Sequence, residues 1–528
     1  MSKGTYSFTT PIYYVNAAPH LGTAYTTIAA DTVARYQRMN GYDVAFVTGM
    51  DEHGQKVADT AESKGMTPQA WCDSMEPAFR DAWNLLDITY TDFVRTTEPR
   101  HARSVKKFWQ DLYDQGWCYK GSYEGWYCVH EETYYAESDL EKNDEGELVC
   151  PDCKRPVQKA GGEENWFFKL SEFQDKLLAF YEENPDFIRP ETRKNEIVSF
   201  VSGGLKDLSI SRSTFDWGVP LPFDEGHVAY VWADALLAYF TGVGYADPER
   251  PGEFDERWPM QYHFVGKDIT RFHCVIWPAM LMAAGLPITH TVFGHGFLLT
   301  KGEKMSKSKG NALKPADLVK VFGVDAYRYY FMSDVQFGHD GSISIERMVQ
   351  VYNADLANTW GNLCSRVFNM TTKYFDGLVP AISAETLAAD NPLRALSDEL
   401  YAEYDAALAA ADFTSAAMAV QKLASRVNLY VEESAPWNLA KSEETAGELA
   451  AVIYNALEAI RIIALYMAPL MPNTSAEVFR RLSLGDITAV TDIEAATIWG
   501  GLPAGNAVET GEPLFPRLDA AAIDLNIE

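Results

Sequence analysis

The residues best suited to chemistry crowd onto one loop, Lys301-Gly-Glu-Lys-Met-Ser-Lys-Ser-Lys-Gly-Asn311. Four lysines can offset the charge of a polyphosphate, while two serine hydroxyls and the free N–H groups of a glycine-containing loop can hold its oxygens. A short lysine run is more often a solvated basic loop, so it needs company. A second candidate is His20-Leu-Gly-Thr23. There an imidazole can donate to phosphate oxygens and glycine lets a nucleotide approach the backbone; alone, it is weak evidence, and a turn histidine is the more common explanation. A third is Cys150-Pro-Asp-Cys153 with Cys128 upstream, a metal or redox spacing.

These residues need rigid elements to hold them. Residues 5–10 alternate like a strand that Pro11 is expected to end, and residues 24–40 carry a helical pattern with Gly41 just past its end. Strands are predicted at 43–49 and 93–97, each followed by a helix, and further strands at 227–232, 262–266 and 291–300. A helix is predicted over 233–240, and Lys267 to His273 enters another. Strand, loop, helix is the unit that places phosphates at a helix N-terminus. The alternation predicts an α/β fold, a doubly wound parallel-sheet nucleotide-binding fold. From 117 to 216 aromatics, glycines and short alternating runs replace that rhythm, which reads as an inserted connective domain. Beyond about Asp325 strands are expected to cease, and residues 356–374, 392–411, 415–433 and 446–471 read as an antiparallel α-helical bundle. The predicted division is 1–116 and 217–324 for the halves of the nucleotide fold, 117–216 for the insertion, 325–360 for a linking segment and 361–528 for the bundle.

The chain has 528 residues and a net charge of −29. That balance argues against a nucleic-acid partner unless a local basic stripe overcomes it. Seven cysteines are too few and too odd for a disulfide framework. The apolar runs, such as 462–471, look too short to span a bilayer, and the N-terminus lacks a signal peptide's apolar segment, so a cytoplasmic protein is expected.

Lys304-Met-Ser-Lys-Ser308 matches the KMSKS signature of class I aminoacyl-tRNA synthetases. Together with Thr10-Pro-Ile-Tyr-Tyr14, His20-Leu-Gly22 and Thr48-Gly-Met-Asp-Glu-His-Gly54, it makes the chain resemble the methionyl-tRNA synthetase family through most of its length. The resemblance implies ATP-dependent activation of L-methionine to methionyl-adenylate, with Mg²⁺, and transfer to tRNA(Met). It implies Lys307, Lys304 and His20 as catalytic groups. Gly22, Thr23, Ser306 and the ribose-binding acid Asp268 would join them around ATP. Asp51 would take the methionine ammonium, and Ile12, Tyr13, Tyr14, Trp232, Ala235, Leu236, Tyr239, Ile269 and His273 would enclose the side chain, with Tyr14 or His273 donating weakly to sulfur. Asn362, Arg366 and Trp437 would read the anticodon.

Two departures stand out. The family usually has a second histidine where Thr23 stands, and commonly proline where Leu236 stands. Thr23 is expected to keep a neutral hydrogen bond to phosphate. Zn²⁺ in the family sits between two Cys-x-x-Cys knuckles. Here Cys128 is followed by Val129-His130-Glu131, so Cys128, Cys150 and Cys153 with His130 or Glu131 form the candidate set, and a degenerate knuckle without metal is the alternative. The family's extra dimerising domain is missing from the sequence, so a monomer is expected. The competing function is a small-molecule nucleotidyltransferase, which would leave the helical tail idle; an isoleucine, leucine or valine enzyme would need a longer editing insertion.

Overall fold

The computed structural model describes residues 3–519 and 523, apart from 130–132, 136, 144, 152, 301–302 and 305–313. Six strands, β1 (Thr5–Tyr14), β2 (Asp43–Asp51), β3 (Asp92–Arg95), β4 (Ile188–Arg189), β5 (Tyr262–Gly266) and β6 (Thr291–His295), form one sheet in the order β3-β2-β1-β5-β6-β4. Every neighbour is parallel. Because both faces are covered, β2 and β6 are almost entirely buried, as the apolar runs at 43–49 and 291–295 require.

The alternation of side chains sorts the strands onto two cores. Phe8, Phe46, Phe264 and Phe293 face one, whereas Val47, Val265 and Val292 face the other. Register places Phe8 opposite Phe46 and Phe264 opposite Phe293. The phenylalanine side also holds α1 (Leu21–Met39) and runs without a break into the C-terminal helices. Sheet and bundle therefore share one apolar interior.

Four local expectations are corrected. Pro11 does not end β1: the strand runs on to Tyr14, with a register irregularity between Thr9 and Ile12 that absorbs the missing N–H. The strand near 227–232 stops at Ala229, and Trp232 sits on a short helix instead. Strands do not cease at Asp325, since Gly341–Ile343 pairs with Leu298–Thr300, which pairs in turn with Glu303–Lys304. Finally, the helix over 443–467 is long and apolar enough to cross a membrane by length and composition. Its most apolar 18-residue stretch is 89% buried inside the bundle, which is where that apolar surface goes.

Within the insertion, Cys118–Cys128 and Gln158–Phe168 form a long antiparallel pair. Residues 188–189 leave it and supply the edge strand β4 of the main sheet. The helices used below are α1, α2 (Pro99–Asp114), α3 (Val231–Ala235), α4 (Val324–Ser333), α5 (Asn362–Phe375), α6 (Pro392–Ala409), α7 (Phe413–Ser434) and α8 (Ala446–Met467). The last four pack as a bundle, α7 lying between α6 and α8.

Candidate active site

The sheet order reverses at β1, whose neighbours are β2 on one side and β5 on the other. At such a switch point the loops leaving adjacent strands diverge and open a crevice beyond the carboxyl ends. A cleft of about 330 Å³ lies there, lined from four strand ends by Ile12, Tyr13, Tyr14, His20, Gly22, Thr23, Asp51, Trp232, Asp268 and Ile269 among others. A smaller hollow continues inward, bounded by Ala235, Leu236, Tyr239 and His273, and shares Pro11, Ile12, Asp51, Trp232 and Ile269 with the cleft. The structure thus brings together every described residue expected around nucleotide and amino acid.

His20 is the N-cap of α1. Its Nδ1 accepts from the Gly22 N–H (3.0 Å) and the Thr23 N–H (3.4 Å), which leaves the ring proton on Nε2 as a donor. Thr23 closes the reciprocal half of the cap, accepting from the His20 N–H and donating to the His20 carbonyl. Its hydroxyl proton is thereby committed to the backbone, which differs from the expected phosphate donor. Asp268 follows β5 in a turn over Lys267–Ile269. Gly266 makes room for it, because a Cβ there would lie 2.4 Å from the Asp268 carboxylate.

The inner hollow is a set of locked rings. The Nδ1 of His273 donates to the Ile269 carbonyl (2.9 Å), so its Nε2 accepts from the Tyr239 hydroxyl at 2.6 Å. Burial pushes the imidazole down to about 4, keeping it neutral. The expected sulfur donors are therefore occupied: His273 presents a lone pair to Tyr239, and the Tyr14 hydroxyl donates to the His53 carbonyl. Trp232 stacks on Phe272 with ring centres 3.8 Å apart and forms one wall.

Behind that wall lies a fully buried carboxylate. Asp234 on α3 bonds His53 Nδ1 (2.6 Å) beyond β2 and His101 Nε2 (2.9 Å) on α2. Burial alone would raise its carboxyl, but the two imidazoles outweigh it and hold the group far below the ordinary carboxylate range. The helix that carries Trp232, the segment beyond β2 and α2 are tied at this point.

The lysine loop enters from a small sheet anchored by Asp340, which accepts from Lys267 Nζ (2.8 Å) and the Phe297 N–H (2.8 Å). Lys304 ends a short strand there, and its side chain, with Ser306 and Lys307, lies outside the described residues. In the insertion, Cys128, Cys150 and Cys153 bring their sulfurs within 4.8 Å of one another. Burial pushes the Cys153 thiol up to about 12, so a cation must displace the protons to bind. That donor set fits a thiolate-bound zinc ion. His130 and Glu131, the expected fourth ligands, lie outside the described residues.

In the bundle, Arg366 on α5 pairs with Glu432 near the end of α7 at 2.7 Å. Ala435 then takes a left-handed turn that leads into the short helix Pro436–Leu439, leaving Trp437 40% exposed. Asn362 is the first residue of α5, so all three expected anticodon residues lie at the junction of α5 and α7. Lys56, His295 and Phe297 line the cleft and were missed. None sits in a motif, and only the chain's return to the strand ends reveals them.

The fold and cleft find their counterpart among known proteins. Residues 6–368 match the family "tRNA synthetases class I (M)", which defines the class. Residues 379–524 match the "Anticodon binding domain of methionyl tRNA ligase". The methionine–tRNA ligase of Streptomyces coelicolor is 49% identical over 97% of this chain and 97% of its own. That of Caldanaerobacter subterraneus is 47% identical over 98% of this chain and 79% of its own. The Mycobacterium tuberculosis methionyl-tRNA synthetase in complex with methionyl-adenylate superimposes with a TM-score of 0.92 at 41% identity, covering 97% of this chain and all of that one. The chain belongs to the methionine–tRNA ligase family.

Proposed function

We propose that the protein activates L-methionine with ATP to methionyl-adenylate and transfers the methionyl group to the terminal adenosine of tRNA(Met). One observation carries this: a cleft at the switch point, with His20, Asp51, Lys56 and Asp268 on its lining, is continuous with an aromatic hollow through Asp51 and Trp232. A charged head group at Asp51 then has an apolar, sulfur-compatible chamber on one side and the helix-capping His20 on the other. The hollow holds only about 20 Å³, room for a water or two, so entry of the side chain requires its ring wall to move.

The methionine carboxylate attacks the α-phosphorus in line, the bond to the β-phosphate oxygen breaks, and pyrophosphate leaves with the electron pair. Positioning and cationic stabilisation carry the acceleration. His20 Nε2–H and the N-terminus of α1 would hold phosphate oxygens, and Asp268 the ribose. Lys304, Ser306 and Lys307 would close on the leaving phosphates by virtue of the signature sequence. Mg²⁺, when bound to ATP, neutralises the pyrophosphate charge. Cys128, Cys150 and Cys153 would hold one structural Zn²⁺. Asn362, Arg366 and Trp437 would read the anticodon, Trp437 giving a base a face to stack on. As a supplier of charged tRNA to protein synthesis it would act in the cytoplasm, as a monomer. ATP–pyrophosphate exchange with each of the twenty amino acids tests the reading. Methionine-dependent exchange is expected; exchange with isoleucine or valine and none with methionine would overturn it.

A further inference from the structure

We infer that Lys56 is a substrate contact, its ammonium gripping the carboxylate of the amino acid whose own ammonium rests on Asp51; this deepens the function just proposed. Lys56 is the second residue of the helix Gln55–Ser63, which starts at Gly54 in a positive-φ conformation (102°). That turn brings the side chain back over the sheet, so that it lines the cleft with Nζ 5.3 Å from the centre of the Tyr14 ring. Tyr14 is in direct register with Asp51 across β1 and β2. The ammonium therefore lies over Tyr14, whose register partner is the Asp51 on which the charged head of the substrate would rest.

The chemistry of an α-amino acid favours a cation at this place. Its ammonium and carboxylate share one carbon, so a carboxylate that attracts the first must repel the second at close range. Asp51 and Asp268 both line the cleft, and among the described lining residues Lys56 is the single lysine or arginine. A cation beside Asp51 lets both charges of the zwitterion be matched, and keeps the carboxylate ionised with a lone pair ready for phosphorus. As the acyl–phosphate bond forms, the carboxylate oxygen outside the new bond stays with Lys56 and the electron pair of the broken bond leaves with pyrophosphate. No proton moves.

The competing role is structural: the ammonium could serve only to steady the Tyr14 ring. Methioninol, which has an alcohol in place of the carboxylate, separates the two. The measurement is the KM for methionine in ATP–pyrophosphate exchange, beside the inhibition constant of methioninol, for the native protein, Lys56→Met and Lys56→Arg. Lys56→Met should raise the methionine KM about tenfold or more, the size of a lost contact to a charged group. It should leave methioninol inhibition within about twofold, and Lys56→Arg should recover most of the loss. Equal weakening of methionine and methioninol, or no weakening of either, would overturn the assignment. If Lys56→Met does not fold, Lys56→Gln is read by the same two constants. A native protein without methionine-dependent exchange would instead refute the functional reading itself.

Discussion

The tyrosine hydroxyl at the bottom of the inner hollow decides more than its size suggests. Tyr239 donates to His273 Nε2 at 2.6 Å, and His273 is fixed from its other side by the Ile269 carbonyl. Removing that hydroxyl leaves a buried imidazole nitrogen without its donor, a cost of about 1–3 kcal/mol. Tyr239→Phe is therefore expected to raise the methionine KM roughly five- to tenfold by loosening the ring wall, with kcat for exchange little changed. Steady-state exchange measurements check it; a fall in kcat at constant KM would place Tyr239 in the chemistry instead. The His273 imidazole also sets a pH limit. Its value in the fold is about 4 against an ordinary 6.5, so the unfolded chain binds the extra proton first. The stability it contributes is complete above about 6.5 and is lost as pH falls towards 4. The types and positions of these residues were legible because Tyr239 and His273 fall within segments like the family's. Which atom donates was not legible, because a tautomer is set by a carbonyl on a turn that sequence does not specify.

At the scale of elements, the sequence displayed the strands well and their ends poorly. Proline at position 11 predicts a stop, yet β1 tolerates it because the strand slips register there. The family resemblance makes His20 a phosphate ligand, and the fold shows it first as the cap that starts α1. The middle of that helix hides a feature with no motif at all. Asp31 is fully buried and pairs with Arg328 of α4 at 2.7 Å, while Arg328 also donates to the carbonyls of Leu86, Pro469 and Leu470. Burial raises the Asp31 carboxyl, and Arg328, Arg35 and Thr89 outweigh it, holding it at about 2. The stability from this pair is thus present above about 3.8 and lost as pH falls towards 2. Asp31→Asn should destabilise the fold by about 3–5 kcal/mol by stranding a buried guanidinium, readable as a lowered thermal midpoint at neutral pH. An unchanged midpoint would show the pair to be dispensable. The cysteine cluster makes a second prediction at this scale. Elemental analysis of protein purified without chelator should find one zinc per chain, absent in Cys150→Ser; none, or two, in the native protein would refute the site.

Sheet and bundle are held together by one apolar interior that passes from the phenylalanine face of the sheet through α4 into α7 and α8. The Asp31–Arg328 joint lies on that path, because Arg328 grips the turn at 469–470 just beyond α8. Adenylate chemistry and anticodon reading would then occupy separate ends of a single packed body, and a mutation at one end can be tested for its reach to the other. Trp437 is the residue for that test, being 40% exposed beside the Arg366–Glu432 pair and far in sequence from the cleft. A base stacked on it loses about 1–3 kcal/mol when the ring is removed. Trp437→Ala should accordingly lower tRNA charging by roughly ten- to a hundredfold, while methionine-dependent pyrophosphate exchange, which needs no tRNA, stays within about twofold. Charging should also fall steeply with added salt, as ions displace phosphate contacts, in spite of the chain's −29 charge. The deciding quantity is the ratio of the two activities in one preparation. Because the ring is largely outside the shared core, its loss should leave the cleft intact, and only the charging arm should move. A parallel loss of both activities would mean that the ring is part of the packing that holds the bundle to the sheet, and anticodon reading would have to be sought elsewhere on α5 and α7.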